Sequence, residues 1–454
     1  MQPSRRRLAR GVVALAVCLL LAPVVVAAVS GPDGTELGPG TVTQPAEGET
    51  VVSVQGWVIQ GETSVKKPAR LVAADSHART AWVYDAGNGS NWFYDVDPVG
   101  GNLLVVSPDR GGTTVYELDP RSRERVWSRH FPIHDTHDVD RMDEHELVVA
   151  AMREWDGETS HDRVFVYNLT RNETVWTWAF RDHFPPSTDG GQGPDWTHVN
   201  DVDPIEENRL LVSPRNFDQV LVVDRDSGEI VRRLGRDGQH ETLHEQHNPD
   251  YLVSDEGTPT ILIADSENDR VVEYAFENGS WERTWTLSGG LRWPRDADRL
   301  PNGNTLVTDS LNHRVVEVTP HGEVVWEYVV TWGPYDAERV AHGDGSAGPT
   351  MRDLGVTGTY RVRGGTGLAS DARADVPTTL RRASAGTPLA GPVDAFATRW
   401  AHVVPWIRPV WLSSWGVASA LVAGLLVVTW GFVELVAARR RLVAFVRQTG
   451  ARLR

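Results

Sequence analysis

Asp265-Ser-Glu-Asn-Asp-Arg-Val-Val-Glu-Tyr274 and Asp309-Ser-Leu-Asn-His-Arg-Val-Val-Glu-Val318 are two copies of one pattern, 44 residues apart. Working outward from them exposes a repeat over the middle of the chain. Upstream of the second copy, Asp296-Ala-Asp298 leads to Asn304-Thr-Leu-Val-Thr308. Asp201-Val-Asp203 leads likewise to Leu210-Leu-Val-Ser213, Asp138-Val-Asp140 to Leu147-Val-Val-Ala150, and Asp95-Val-Asp97 to Leu103-Leu-Val-Val-Ser107. Each unit reads as a short strand ending in Asp-x-Asp, a polar turn, an apolar strand, a turn, and a further alternating strand such as Val220-Leu-Val-Val-Asp224. Four short strands in some 40 residues make a propeller blade. The second strands end at Ala74, Ser107, Ala150, Ser213, Ala264 and Thr308, which predicts an all-β, six-bladed β-propeller, with five or seven blades left open. Val51–Ile59 and Val324–Val330 are the first and last strands, and pairing them in one blade would close the ring and remove its free edges. Because the Asp-x-Asp pairs recur in nearly every unit, they read as turn and strand-end caps rather than catalysts.

The ends of the chain are of another kind. Residues 1–30 hold the apolar run Val12–Val29 behind Arg5-Arg6-Arg7, which reads as a signal peptide resembling a twin-arginine export signal, or as a retained anchor. Trp411–Val433 is 23 residues without a charge, followed by Arg439-Arg440-Arg441, and predicts a transmembrane helix over 409–437 with a basic tail over 438–454. Between ring and span, residues 346–408 are rich in Gly, Ala and Pro and read as a stalk, with an interfacial helix over Asp394–Pro409. By the positive-inside rule both arginine clusters are cytoplasmic and the propeller, over 31–345, is extracytoplasmic and membrane-anchored. Four N-x-Ser/Thr sequons, at Asn88, Asn168, Asn172 and Asn278, fall in that outer region, and the one cysteine, Cys18, does not, so packing alone must hold the ring.

Net charge is −16, and the ten arginines at the two ends leave the middle near −26 (−16 minus 10). Such a surface repels nucleic acid. With only Lys66 and Lys67 for lysines, the acidity resembles the proteomes of salt-adapted archaea.

What departs from the repeat is where function belongs. Histidines gather in His134-Asp-Thr-His137-Asp138, in Trp196-Thr-His198-Val-Asn200-Asp201 and in Glu245-Gln246-His247-Asn248. His137, Asn200 and Arg295 share the place before the recurring Asp, where the second unit has Tyr94, and period-two alternation puts His198 on the face of Asn200. Arg215 stands just past Leu211-Val-Ser-Pro214. Inner strands line the axial channel, so these side chains converge at one end of it. Histidines with arginine and asparagine offer donors and positive charge, which suits a tetrahedral oxyanion. No cysteine pair is present, no metal is expected at the histidines, and no glycine loop for a nucleotide cofactor appears.

At these residues the chain resembles the arylsulfotransferase family of β-propeller enzymes. The His137-Asp strand, the His198-x-Asn200-Asp201 strand, Leu210-Leu-Val-Ser-Pro-Arg215 and Gln246-His247 carry the likeness, over about residues 90–320. The resemblance implies transfer of a sulfuryl group from an aryl sulfate ester to a phenol, with no cofactor. His247 would be the nucleophile that becomes sulfated, and His137, His198 and Arg215 would hold the sulfuryl group, with Asn200, Gln246 and Arg295 binding substrate. His134 also precedes an Asp and competes with His137 for its role. The family's soluble bacterial members have an added N-terminal β-domain and a cysteine pair, and this chain has a C-terminal span instead. A non-catalytic propeller serving as a binding scaffold, or an ester hydrolase, would use the same fold.

Overall fold

The computed structural model describes residues 3–30, 37–59, 62–63, 67–85, 92–109, 111–206, 208–366, 375–409 and 411–452. The sequon at Asn88, residues 367–374 and Arg454 lie outside the described residues. Two compact units form: Glu36–Ser370, and Met1–Thr35 together with Asp371–Arg454.

The first unit is a six-bladed β-propeller of antiparallel sheets. The second blade runs outward from the axis through Val96–Val99, Asn102–Asp109, Gly112–Leu118 and Arg125–Phe131. Its counterparts to Asn102–Asp109 are Arg70–Ala74, Glu146–Ala151, Arg209–Pro214, Pro259–Asp265 and Thr305–Asp309, and all six expected strand ends fall on this set.

A blade is covered by a neighbour on each face, so its middle strands are apolar on both faces. Leu262 and its neighbour Ile263 are both fully buried, Leu262 in the cluster shared with blade six and Ile263 in the cluster shared with blade four. The six apolar clusters occupy the six blade interfaces. Each fully buried Leu or Val contributes about 1.5–3 kcal/mol, and Leu262→Ala would cost about 2–5 kcal/mol. Outer-strand tryptophans add a polar tie between blades. The indole N–H of Trp285 donates to Pro320 O at 2.9 Å, and that of Trp176 to Arg225 O at 3.0 Å, each in a hairpin of the following blade.

The repeated Asp-Ser-x-Asn pattern is a turn device. In blades five and six it forms a short 3₁₀ turn, Ser266–Asn268 or Ser310–Asn312, closed by Asp269 or His313 in the left-handed region at φ 52° and 57°. Asp265 and Asp309 head these turns and accept from Asn268 and Arg270, and from Asn312 and Arg314. The acceptor oxygens match the local donors, which is why the pattern repeats.

Three expectations are corrected. The ring does not close by pairing Val51–Ile59 with Val324–Val330. Thr50–Val54 pairs with a later strand, Pro334–Arg339, while Val324–Val330 pairs with Leu37–Val42 in blade six. Two strands from the start of the ring are thus interleaved with two from its end. The Asp-x-Asp pairs are not turn caps. They lie on the inner strands and face the axis, and Asp336, Asp296 and Asp138 accept the backbone N–H of Val96 (3.0 Å), Ala337 (3.2 Å) and Val202, each on another inner strand. They clasp blade to blade. Residues 346–408 are not a bare stalk either. Gly358–Arg361 adds a parallel fifth strand to blade five beside Ser280–Ser288, because its backbone satisfies that blade's outer edge. Further on, the chain forms helices Val376–Ser384 and Ala390–Ile407.

In the second unit, helix α1 (Pro3–Ser30) packs along the last helix, Ser414–Arg452. Segments Arg6–Val29 and Ser414–Arg440 are long and apolar enough to cross a membrane. Arg6 and Arg10 both pair with Glu434 at 2.8 Å, so the start of the first helix lies beside the middle of the last.

Candidate active site

The inner strands carry bulges just before their acids. Register shifts fall between Val199 and Val202, His247 and Asp250, and Pro294 and Asp296. A bulge lets two successive residues face one side, so the residue before each acid also turns toward the axis. His198 lies ahead of its strand with φ 43°, and that left-handed turn, not strand alternation, sets its direction.

Tyr335 is the hub of the resulting cluster. Its ring centroid is 5.3 Å from that of His137, 5.9 Å from that of His247 and 4.8 Å from that of Tyr94. The Arg295 guanidinium lies 4.7 Å over the Tyr335 ring and 4.1 Å over that of Trp293. His137 and His198 meet edge to face at 5.0 Å, and Arg215 Nη1 is 3.1 Å from His198 Nε2. The structure therefore brings His137, His198, Arg215, His247 and Arg295 to one end of the channel. His134 points away, with its side chain 73% exposed beside Glu154. Gln246 is fully buried and spends its amide donors on Ser213 Oγ (3.0 Å) and Gln219 O (2.6 Å). Asn200 donates to Gln246 O at 2.9 Å and keeps its Oδ1 without a partner.

Hydrogen bonds assign the tautomers. Arginine only donates, so His198 Nε2 accepts from Arg215, and its Nδ1–H donates to Asp195 Oδ1 at 2.8 Å. Ser266 Oγ–H donates to Pro294 O at 2.6 Å, which makes Oγ the acceptor of His247 Nδ1–H at 2.8 Å. His247 Nε2 is then an unprotonated nitrogen, buried and with no hydrogen-bond partner among the described residues.

Electrostatics point the same way. Burial first, then Arg295, Arg215 and His198, push the His247 pKa well below the usual histidine range. His137 is depressed by burial and by His198. Burial and Arg215 lower His198 to about 3. Against its own burial, Asp195 is held below the usual carboxylate range by its bonds to His198 and Arg153. Arg295 is the anomaly. It is 6% exposed and among the described residues has no carboxylate partner, only Gln55 Oε1 at 2.6 Å and the two rings, and burial lowers its pKa to about 10. A buried cation without a counter-charge is costly and calls for an anion.

Sequence reading missed Tyr335, Ser266, Arg153 and Asp195. Tyr335 precedes Asp336 as Tyr94 precedes Asp95, a signal hidden because the closing strand was sought at Val324–Val330. Ser266 was visible in the repeat, and Arg215 opens the equivalent 3₁₀ turn of blade four. Arg153 links Asp135 (2.9 Å) to Asp195 (3.0 Å).

Comparison with known proteins now has a geometry to meet. Residues 100–256 match the family model for arylsulfotransferase (ASST). That stretch includes His137, His198, Arg215 and His247 and ends before Arg295 and Tyr335. No curated protein matches the chain. Solved structures similar to it include a protein of unknown function from Bacteroides caccae, 15% identical, with a TM-score of 0.45, covering 65% of this chain and 98% of that one. An inactive variant of virginiamycin B lyase from Staphylococcus aureus, bound to quinupristin, is 8% identical at a TM-score of 0.39 and covers 65% and 85%. An auxiliary nutrient binding protein from Bacteroides thetaiotaomicron is 10% identical at 0.40 and covers 60% and 74%.

Proposed function

We propose that the protein is a membrane-anchored arylsulfate sulfotransferase that works through a sulfated His247. The observation that carries the reading is a bare, buried His247 Nε2 in the same cluster as Arg295, a buried cation with no acid to balance it. An aryl sulfate supplies the missing anion. Nε2 attacks sulfur, the N–S bond forms as the S–O(aryl) bond breaks, and the phenoxide leaves and takes a proton from water. A second phenol then attacks the same sulfur, the N–S bond breaks, and the phenol proton is released. Arg215, Arg295 and His137 hold the sulfuryl oxygens, and Ser266 keeps Nδ1 protonated so that the lone pair stays on Nε2. The family match over residues 100–256 supports the same chemistry. The propeller faces the outside and both arginine-rich ends the cytoplasm.

The test is full-length protein in detergent with 4-nitrophenyl sulfate, with and without phenol. Donor alone should add SO₃ to the peptide holding Gln246-His247-Asn248, read by mass spectrometry at neutral or alkaline pH. His247→Asn should abolish both turnover and adduct. An adduct on His137 or His198 would refute the role of His247, and the absence of both turnover and adduct with every aryl sulfate would leave a binding scaffold.

A further inference from the structure

Beyond the histidine end, the axial channel changes character completely. The inner strands each present acids two residues apart, and strand alternation turns both to the axis. The first positions are Asp95, Asp138, Asp201, Asp296 and Asp336, with Asn248 in blade five, and the second are Asp97, Asp140, Asp203, Asp250, Asp298 and Glu338. They enclose a cavity of about 30 Å³, with room for one or two waters or ions.

Two independent observations point to a ligand there. The first is spacing. One oxygen each from Asp95, Asp97 and Asp336 lie within 4.8 Å of one another, as do those of Asp97, Asp140 and Asp344, and those of Asp138, Asp201 and Asp203. Calcium bonds oxygen at about 2.3–2.6 Å, so two opposed ligands stand about 4.8 Å apart. The second is the state of particular oxygens. Asp138, Asp296 and Asp336 use theirs as backbone acceptors. Asp201, 5% exposed, lines the channel and keeps an Oδ2 with no hydrogen-bond partner among the described residues, while Asp95, Asp97 and Asp298, 7%, 4% and 2% exposed, have only the carboxyl groups of Asp138, Asp344 and Asp250 to share a proton with. Asn248 Oδ1, a neutral oxygen in the same wall, has no partner among the described residues. Buried oxygens that receive no proton donor are costly. A cation is the partner they can share.

We infer that the acidic half of the axial channel binds hard divalent cations of the calcium type, at Asp95, Asp97 and Asp336 and at Asp138, Asp201 and Asp203. The ligand set is all oxygen and excludes the histidines, which suits a hard cation. Each ion ties inner strands of different blades together below the histidine cluster and is separate from sulfuryl transfer.

The experiment uses the full-length protein in detergent, stripped with EDTA and returned to metal-free buffer. Calcium chloride should then bind by calorimetry with at least one equivalent and raise the Tm in a concentration-dependent way. Asp97→Asn and Asp201→Asn keep side-chain shape and remove charge. Each should weaken calcium binding by about ten-fold or more and shrink the Tm gain, while the calcium-free variants melt no lower than stripped wild type. The inference is overturned if calcium neither binds nor shifts the Tm. It is equally overturned if the Asn variants gain stability by the same amount with and without calcium, because shared protons would then satisfy the acids. Turnover of 4-nitrophenyl sulfate, followed in parallel, reports on the transferase reading alone.

Discussion

Arg295→Met should make the protein more stable and less active at once. Burial lowers the Arg295 pKa to about 10, a cost of about 3 kcal/mol against the charged form. At neutral pH the side chain stays charged in both the folded and the unfolded state. The native state therefore carries that cost, which is lifted only above the folded pKa. Methionine fills a similar volume and removes the charge. Lost contacts with Trp293, Tyr335 and Gln55 offset part of the gain, leaving a net stabilisation of about 1–3 kcal/mol in the absence of sulfate ester. For a domain of this size that is a rise of a few degrees, about 2–4 °C per kcal/mol or less. The same substitution removes a donor to the sulfuryl group and should lower kcat/KM by about 10²–10³. Scanning fluorimetry with and without inorganic sulfate separates the two effects, since wild type should gain Tm with sulfate and the variant should not. A variant that is less stable than wild type and still responds to sulfate would refute the picture of an uncompensated cation awaiting an anion.

Ser266→Ala removes the acceptor of His247 Nδ1–H, so Nε2 loses its fixed lone pair, and kcat/KM should fall about 10–100-fold at a stability cost of about 1–3 kcal/mol; an unchanged rate would free the tautomer from Ser266. His198 is depressed to about 3, so it destabilises the native state as pH falls from 6.5 toward 3, and its neutral form keeps full stability above 6.5. His198→Gln should therefore gain about 2 kcal/mol relative to wild type between pH 7.5 and pH 5 in urea titrations, and an unchanged difference would contradict the buried neutral ring. Protease added to intact cells should remove the propeller and spare a tag placed after the last residue, whereas digestion of the tag would reverse the topology.

Sequence carried the blade count and much of the site, for different reasons. A repeated unit writes the same turn chemistry many times, so Asp265 and Asp309 announce themselves by recurrence. His137, Asn200 and Arg295 stand out because the repeat tells the reader what should be there. Tyr335 and Arg153 were not legible. Tyr335 reaches the cluster only through the closing strand, whose pairing depends on residues 280 positions away. Arg153 has a left-handed backbone at φ 60°, and no spacing rule projects a side chain from there. The inward turn of Asn200, His247 and Arg295 rests on bulges, which shift the register by one residue without leaving a mark in the alternation.

The interleaved seam also sets a condition on biosynthesis. Blade one receives its axial strand, Pro334–Arg339, only after the other five blades have left the ribosome, and Tyr335 arrives on that strand. Arg295 reaches across the same seam to Gln55. Before that point the nascent chain holds an open sheet stack in which His247 has no roof and Arg295 no cradle. A message cut short between residues 248 and 333 thus gives a polypeptide containing every histidine of the cluster without the strand that brings Tyr335 to it. On the proposed transferase reading, reactivity would begin only with completion of the circle.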